Sequence, residues 1–284
     1  MQYKSQKVMP NFLVIGAQKS GTTSLCTVLS RHSDVFMSKP KEPHFFSVDE
    51  LYDQGLDYYA TLFENAAGKS AIGEGSTSYT MQAHRPHAAE RVARHLPNAR
   101  LIYIVRHPMR RLESGYMHLK ATGRTHASFE EAIGHFPHLI DTSLYWKQLT
   151  VYRSHFPDHQ IRVVTFEDFV HQPEQVVKEL FKFLDVDPDQ FNPQWLQKCN
   201  VSKGKRFEKA LLARARSHPF YDSVSRFVPS WIKRPIKHAL TDSIHERTSL
   251  APAKYTEILK QVKNDSQQIL LYCGKPPSFW NLSS

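Results

Sequence analysis

One segment near the start of the chain constrains the fold more than any other: an apolar run that leads into a polar loop with a glycine at each end. The run is Asn11-Phe-Leu-Val-Ile-Gly16, and the loop continues as Ala17-Gln-Lys-Ser-Gly-Thr-Thr-Ser24. Leu25, Val28 and Leu29 then recur at helical spacing, so the segment predicts a strand, a tight loop and a helix. Backbone N–H groups of such a loop, together with the positive end of the helix, favour a phosphate-like anion.

The same alternation of strands and helices returns along the chain. Strand-like runs cover 35–37, 71–75, 100–106 and 160–166, and helical patterns cover 85–95, 109–119, 144–156, 174–184, 208–216 and 252–271. This alternation predicts an α/β fold of the P-loop-like, three-layer type, with a central, mostly parallel sheet flanked by helices. Ligands of such sheets bind at the carboxyl ends of the strands, which Gly16, Gly75 and Arg106 mark here.

Length and composition bound the domain organisation. With 284 residues, of which 40% are hydrophobic and 23% charged, the chain can bury a large core, which excludes a disordered scaffold. We predict a single domain over residues 1–284. Its core covers about 10–207, and a basic, helical C-terminal appendage covers about 208–284.

Two features bear on the cellular compartment. No apolar run approaches the roughly 20 residues that cross a bilayer, and no apolar signal core follows the first residues, so we expect neither a membrane span nor export. The cysteines Cys26, Cys199 and Cys273 are too far apart for a disulfide framework or a zinc site. Together these features predict a cytoplasmic protein.

The charge is uneven along the chain. Its formal net value is +10, yet residues 1–195 carry 21 basic and 21 acidic side chains, whereas residues 196–284 carry 16 basic and 6 acidic ones. Such asymmetry favours an anionic partner for the last third, which leaves a nucleotide, an acidic glycan, nucleic acid or a membrane surface open. A solvated basic face explains the same charges equally well.

The first loop has the glycine spacing of a nucleotide-binding P-loop, G-x-x-x-x-G-K-[ST], but Thr22 stands where lysine is expected and Lys19 lies inside the loop. The displaced lysine argues against ordinary ATP or GTP hydrolysis. The loop resembles the 5′-phosphosulfate loop of sulfotransferases, which use 3′-phosphoadenosine 5′-phosphosulfate (PAPS). The resemblance implies PAPS as the sulfuryl donor, no required metal, and contacts from Lys19, Ser20, Gly21, Thr22, Thr23 and Ser24.

A second segment of the chain resembles the 3′-phosphate motif of the same family. In Tyr103-Ile-Val-Arg106-His-Pro, an arginine ends a predicted strand, and Ser114 follows eight residues later on a predicted helix. A guanidinium and a hydroxyl that face the same way can bind one phosphate. The resemblance therefore implies Arg106 and Ser114 as contacts of the 3′-phosphate.

A third segment, in the basic region, resembles the Lys-Gly-Arg loop that folds over PAPS in heparan-sulfate-type sulfotransferases. It reads Asn200-Val-Ser-Lys203-Gly204-Lys205-Arg206-Phe207. Lys205 interrupts the Lys-Gly-Arg order, so Lys205 and Arg206 both remain candidates for the arginine position. A glycine flanked by cations suits a lid over a ligand with several negative charges.

The catalytic candidates come from a proline-bracketed segment, Lys39-Pro-Lys-Glu42-Pro-His-Phe-Phe46, which is similar to the Glu-x-x-Phe-Phe segment of glycan sulfotransferases. The resemblance implies Glu42 as the general base and Lys19 as the group that stabilises charge on the leaving phosphate. His118 lies four residues after Ser114, where some glycan members have a histidine, and is expected to assist the base or hold the acceptor. The interpretation that competes for Glu42 is a surface carboxylate paired with a neighbouring lysine.

The resulting hypothesis is a sulfotransferase that moves a sulfuryl group from PAPS to a hydroxyl, or less likely an amine, of a glycan or small metabolite. Two alternatives remain: a P-loop nucleotide kinase or other phosphotransferase, and a basic nucleic-acid-binding module. We do not expect nucleic acid as a partner. Acceptor specificity is expected in the loops 47–63 and 123–140, whose residues do not identify the acceptor, and the oligomeric state is open.

Overall fold

The computed structural model describes residues 7–196, 206–208, 241–243 and 250–282 of the chain, the two short internal segments as backbone. Five strands form one parallel sheet in the order β2-β3-β1-β4-β5. They are β1 (Phe12–Gly16), β2 (Val35–Met37), β3 (Ala71–Glu74), β4 (Arg100–Val105) and β5 (Ile161–Thr165). A separate antiparallel pair joins β6 (Arg206–Glu208) to β7 (Thr241–Ser243).

The central strand β1 explains why the strands are almost continuously apolar. Helices cover both faces of the sheet, so alternate side chains of a strand enter two different cores and all of them are buried. The β1 register pairs Phe12 with Gly73 of β3 and Leu13 with Leu101 of β4. One core takes Leu13, Ile15, Leu101, Tyr103 and Val105, and the other takes Phe12, Val14, Ile102 and Ile104. The predicted α/β fold with a parallel sheet is confirmed.

The described helices follow the predicted order, with small shifts at their ends. They are α1 (Thr22–Leu29), α2 (Asp49–Tyr52), α3 (Gly55–Thr61), α4 (Ala88–His95), α5 (Pro108–Ala121), α6 (Phe129–His135), α7 (His138–Asp141), α8 (Tyr145–Arg153), α9 (Phe166–His171), α10 (Pro173–Phe183) and α11 (Pro252–Tyr272). The predicted helix 85–95 begins only at Ala88, because the residue before Pro86 is disfavoured in a helix. The pattern at 208–216 lies outside the described residues.

Both stretches that were expected to be loops contain helices, so that expectation was wrong. Helices α2 and α3 lie within 47–63, and α6 and α7 lie within 123–140. Helix α6 begins at a capping box in which the Ser128 hydroxyl accepts from the Glu131 N–H and the Glu131 carboxylate accepts from the Ser128 N–H. The Ser-x-x-Glu spacing was readable in the sequence.

The C-terminal helix α11 packs against α8 and contributes to the larger of the two cores. Ile258, Leu259 and Val262 are buried there, together with Trp280 from the segment after the helix. Asp265 accepts hydrogen bonds from the Trp146 and Lys147 N–H groups at the start of α8. The proposed division near residue 207 stays a prediction. Within the described ranges, no helix has both the length and the apolar character that crossing a membrane requires.

Candidate active site

The anion loop lies at the carboxyl end of the central strand and has an unusual backbone. Lys19 and Gly21 have left-handed φ angles of 69° and 96°, a conformation that costs little for glycine and more for lysine. The Ala17 N–H donates to the Ile104 carbonyl at 2.7 Å, which anchors the loop to β4. Helix α1 then begins at Thr22. The segment is therefore the predicted strand, loop and helix, with a helix N-terminus behind the loop.

Gly21 also has a packing role. A Cβ at this position would lie 2.7 Å from the Phe166 ring, closer than such atoms approach. The same ring lies under the Arg106 guanidinium, 4.7 Å from the ring centroid. Arg106 in turn donates to the Lys19 carbonyl at 3.4 Å. The structure thus brings together the end of β4 and the first loop, as parallel strands at one sheet edge predict.

The predicted contacts within the loop differ in their environment. Lys19 and Ser24 are half-buried and Thr23 is exposed, whereas the Thr22 and Ser20 side chains are buried. The Ser20 N–H donates to the Ala17 carbonyl at 3.1 Å, and its hydroxyl neighbours buried Tyr145, whose raised pKa it partly offsets. Ser20 therefore turns inward, unlike Thr23.

Arg106 and Ser114 occupy the positions that the sequence indicates. Arg106 follows β4, and Ser114 is half-buried on α5. Burial lowers the pKa of Arg106, and the charge of Glu167 opposes this shift. Because a half-buried guanidinium is incompletely hydrated, an anionic ligand at this corner gains more from it than from an exposed cation.

Glu42 lies in a network of short contacts. Its carboxylate accepts from Lys41 Nζ at 2.7 Å and from the Thr77 hydroxyl at 3.1 Å, and it retains 32% side-chain exposure. The pairing with Lys41 that the competing interpretation required is therefore present. Lys41 Nζ also donates to Thr22 Oγ1 at 3.3 Å, so this lysine connects the carboxylate to the anion loop rather than to bulk solvent alone.

The backbone around β3 holds the Glu42 segment in place. The Gly75 N–H donates to the Lys41 carbonyl at 3.1 Å, and the His44 N–H donates to the Ser76 hydroxyl at 2.9 Å. A Cβ on Gly75 would lie 2.7 Å from the Cys26 thiol, so glycine permits the close approach of β3 to α1. Gly75 is thus at the site, as predicted, but acts through its backbone.

The histidine beside Glu42 is His44, which the sequence analysis did not select. Its Nε2 lies 3.5 Å from Glu42 Oε2, and its Nδ1 hydrogen-bonds the Ser78 hydroxyl at 2.7 Å. Burial lowers the pKa of His44, which favours the neutral ring. The predicted helper, His118, is half-buried on α5, one turn beyond Ser114. The position of His44, two residues after Glu42, was the signal available in the sequence.

A buried carboxyl group lies behind this network. Glu74, at the end of β3, is fully buried and accepts from the Tyr79 hydroxyl at 2.5 Å and the Tyr59 hydroxyl at 3.3 Å. Burial raises its pKa to about 7, although both tyrosine hydrogen bonds oppose the shift. Cys26 is buried nearby, and burial raises the pKa of its thiol to about 12, which makes it a poor nucleophile.

The predicted lid falls mostly outside the described residues. Lys203, Gly204 and Lys205 are not described, and Arg206 and Phe207 are described only as backbone of β6. Strand β6 has contacts with α5, the helix that carries Ser114 and His118. The assignment of these five residues to PAPS stays a prediction.

The parallel sheet, with an anion loop after its central strand, is the architecture of P-loop-like α/β proteins. A family model described as "Sulfotransferase domain" matches residues 9–249. The chain therefore belongs to the sulfotransferase domain family, which confirms the resemblance noted in its sequence. A crystal structure of a sulfotransferase from Alicyclobacillus acidocaldarius superposes with a TM-score of 0.68 and 25% identity, covering 96% of this chain and 99% of that one.

Two curated relatives are enzymes of heparan sulfate. The bifunctional heparan sulfate N-deacetylase/N-sulfotransferase 3 of Mus musculus is 27% identical over 90% of this chain and 32% of its own length. Heparan sulfate glucosamine 3-O-sulfotransferase 3A1 of Mus musculus is 30% identical over 64% of this chain and 47% of its own length. The chain thus spans less than half the length of these two relatives.

Proposed function

We propose that this chain transfers a sulfuryl group from PAPS to a hydroxyl, or as a second choice an amine, of an acceptor. One observation carries the proposal: Lys41 contacts both the Thr22 hydroxyl of the anion loop and the Glu42 carboxylate. A base and an anion loop that share one cation are close enough to act on the two partners of one transfer. The displaced lysine of the loop disfavours the phosphotransferase alternative.

The residues present fit a donor that is anionic at two places. Lys19, Thr22 and the N-terminus of α1 suit the phosphosulfate group. Arg106, which lies against the same loop, suits a second phosphate together with Ser114. When bound, PAPS supplies an activated sulfuryl group and a phosphate as leaving group.

Each residue has a distinct role in this proposal. Glu42 accepts the proton of the acceptor hydroxyl while the acceptor oxygen approaches the sulfur. Lys19 stabilises the negative charge that develops on the departing phosphate oxygen. His44 and Thr77, which contact the Glu42 carboxylate, orient it, and His118 holds the acceptor. Proton removal and charge stabilisation then occur on opposite sides of the transferred group.

The names of the relatives support a glycan as the acceptor, and a small metabolite is the alternative. We also propose a cytoplasmic location, which the free thiols of Cys26 and Cys273 support. Neither proposal depends on the transfer chemistry.

Titration calorimetry followed by a transfer assay tests the function. The full chain should bind adenosine 3′,5′-bisphosphate (PAP) in EDTA, and should move radiolabelled sulfate from PAPS to at least one member of a panel of glycans, phenols, lipids and peptides. Binding of ATP only with magnesium would favour the kinase alternative instead. Binding of an oligonucleotide with a steep salt dependence, without PAP binding, would favour the nucleic-acid module.

A further inference from the structure

The segment after α11 returns to the corner at which β5 ends and α9 begins. Trp280 is buried, and its indole Nε1 donates to Glu167 Oε2 at 3.0 Å. Lys275 Nζ lies 2.8 Å from Asp168 Oδ2. We call residues 275–282 the C-terminal segment. It is thus fastened by two neighbouring carboxylates of α9.

The second oxygen of Glu167 is also engaged. It accepts from the His107 N–H at 3.0 Å, at the junction between β4 and α5. The His107 and Trp280 rings are neighbours, with centroids 6.4 Å apart. One carboxylate therefore connects the C-terminal segment to the residue that follows Arg106.

The same corner determines the position of the Arg106 side chain. Its guanidinium lies over Phe166, the residue before Glu167, and the Glu167 charge opposes the desolvation of the guanidinium. A hydrogen bond to a charged, partly buried acceptor is stronger than one between neutral groups. Loss of the indole N–H would leave Glu167 with one fewer donor and loosen the corner from which Arg106 projects.

We propose that Trp280 is a positioning residue for the 3′-phosphate site, and that docking of the C-terminal segment and binding of this phosphate are coupled. The inference rests on the proposed function, because it takes Arg106 to contact that phosphate. A phosphate on Arg106 favours the docked corner, so the docked segment must favour the phosphate to the same extent. A tryptophan that only filled the core would not distinguish ligands with and without that phosphate.

Trp280→Phe tests the coupling, because phenylalanine keeps an aromatic ring and removes the indole N–H. PAP and AMP form the ligand pair, since AMP lacks only the 3′-phosphate. We expect W280F to weaken PAP binding about fivefold or more, within the usual range of coupling between sites, and AMP binding less than twofold. Trp146→Phe is the matched control, because Trp146 packs beside Tyr272 of α11 instead and should leave both affinities unchanged.

A measurement on the unmodified chain keeps the test valid if W280F is poorly folded. The Phe279 and Asn281 N–H groups are hydrogen-bonded to the Pro276 and Ser278 carbonyls. PAP should slow the hydrogen exchange of these amides more than AMP does at equal saturation. Equal protection by the two ligands, or equal losses of both affinities in W280F, overturns the inference while PAP binding to the unmodified chain still supports the proposed function. Failure of the unmodified chain to bind PAP overturns both.

Discussion

Arg106 lies over the ring of Phe166, with the guanidinium carbon 4.7 Å from the ring centroid. The other contact of this ring is Gly21, in the anion loop. One aromatic side chain from the start of α9 thereby fixes the distance between the two segments that we assign to the two ends of PAPS. A cation over an aromatic face keeps its N–H edges available for an anion.

The first prediction concerns Arg106. Arg106→Ala should weaken PAP binding far more than AMP binding, because a charge-assisted contact to the 3′-phosphate is lost only in the first case. Calorimetry with both ligands measures the difference. Arg110→Ala is the control, since Arg110 is exposed and pairs with Glu113. Equal losses for the two ligands would assign Arg106 a structural role.

The second prediction concerns Lys19. Lys19→Ala should lower kcat about a hundredfold to a thousandfold, the usual loss when a group that stabilises transition-state charge is removed. Single-turnover transfer from labelled PAPS measures the chemical step. Lys69→Ala serves as the control, because Lys69 is exposed and donates to the Ser33 carbonyl, before the start of β3. Normal turnover in K19A would rule out the assignment of the loop.

The strands and the loop were predictable because their signals are local. Covered faces make β1 and β4 continuously apolar, and the glycines at 16 and 21 bracket a loop whose backbone only small residues tolerate at Gly21. These features depend on the sequence within a few positions. For this reason the sheet and the order of its flanking helices were correct.

The network around Glu42 was not predictable in the same way. Lys41 reaches Thr22 because the Gly75 N–H fixes the Lys41 backbone, and this contact joins residues 34 positions apart in sequence. Helix periodicity favoured His118, whereas His44 lies beside Glu42 only after β3 has paired with β2 and carried Ser76 and Ser78 to it. Nor does any pattern connect Trp280 to Glu167 before the chain is folded.

The third prediction separates the base from its neighbours. Glu42→Gln keeps the size of the side chain and removes its basicity, so it should leave PAP affinity intact and lower kcat about a hundredfold to ten-thousandfold. His118→Ala should show a smaller loss, or a higher KM for the acceptor alone. His44→Ala should reduce kcat less than E42Q does, because His44 orients the carboxylate.

The result that would reverse these roles is specific. If E42Q turns over at the rate of the unmodified enzyme while either histidine variant is inactive, the base is that histidine. PAP affinity of each variant, measured in parallel, distinguishes a lost base from a lost donor site. A variant that retains PAP binding and loses turnover identifies a group needed for chemistry.

The last prediction follows from Glu74, the buried carboxyl behind the site. Its pKa rises from the usual 4.5 to about 7, with burial as the main cause. The folded state therefore holds a proton that the unfolded state releases between these two values. The stabilisation is fully present below pH 4.5 and is lost as the pH rises through 7, by up to about 3 kcal/mol in the free energy of unfolding.

Glu74→Gln removes this titration while its amide oxygen still accepts from the Tyr79 and Tyr59 hydroxyls. Denaturant unfolding of both proteins from pH 4.5 to 8.5 measures the effect. The stability of E74Q relative to the unmodified chain should rise over this interval and level off above pH 7. Asp265, whose pKa burial raises to about 6, titrates in both proteins and cancels in the difference. Parallel stability curves would mean that Glu74 stays ionised in the folded chain, with the tyrosine hydrogen bonds outweighing its burial.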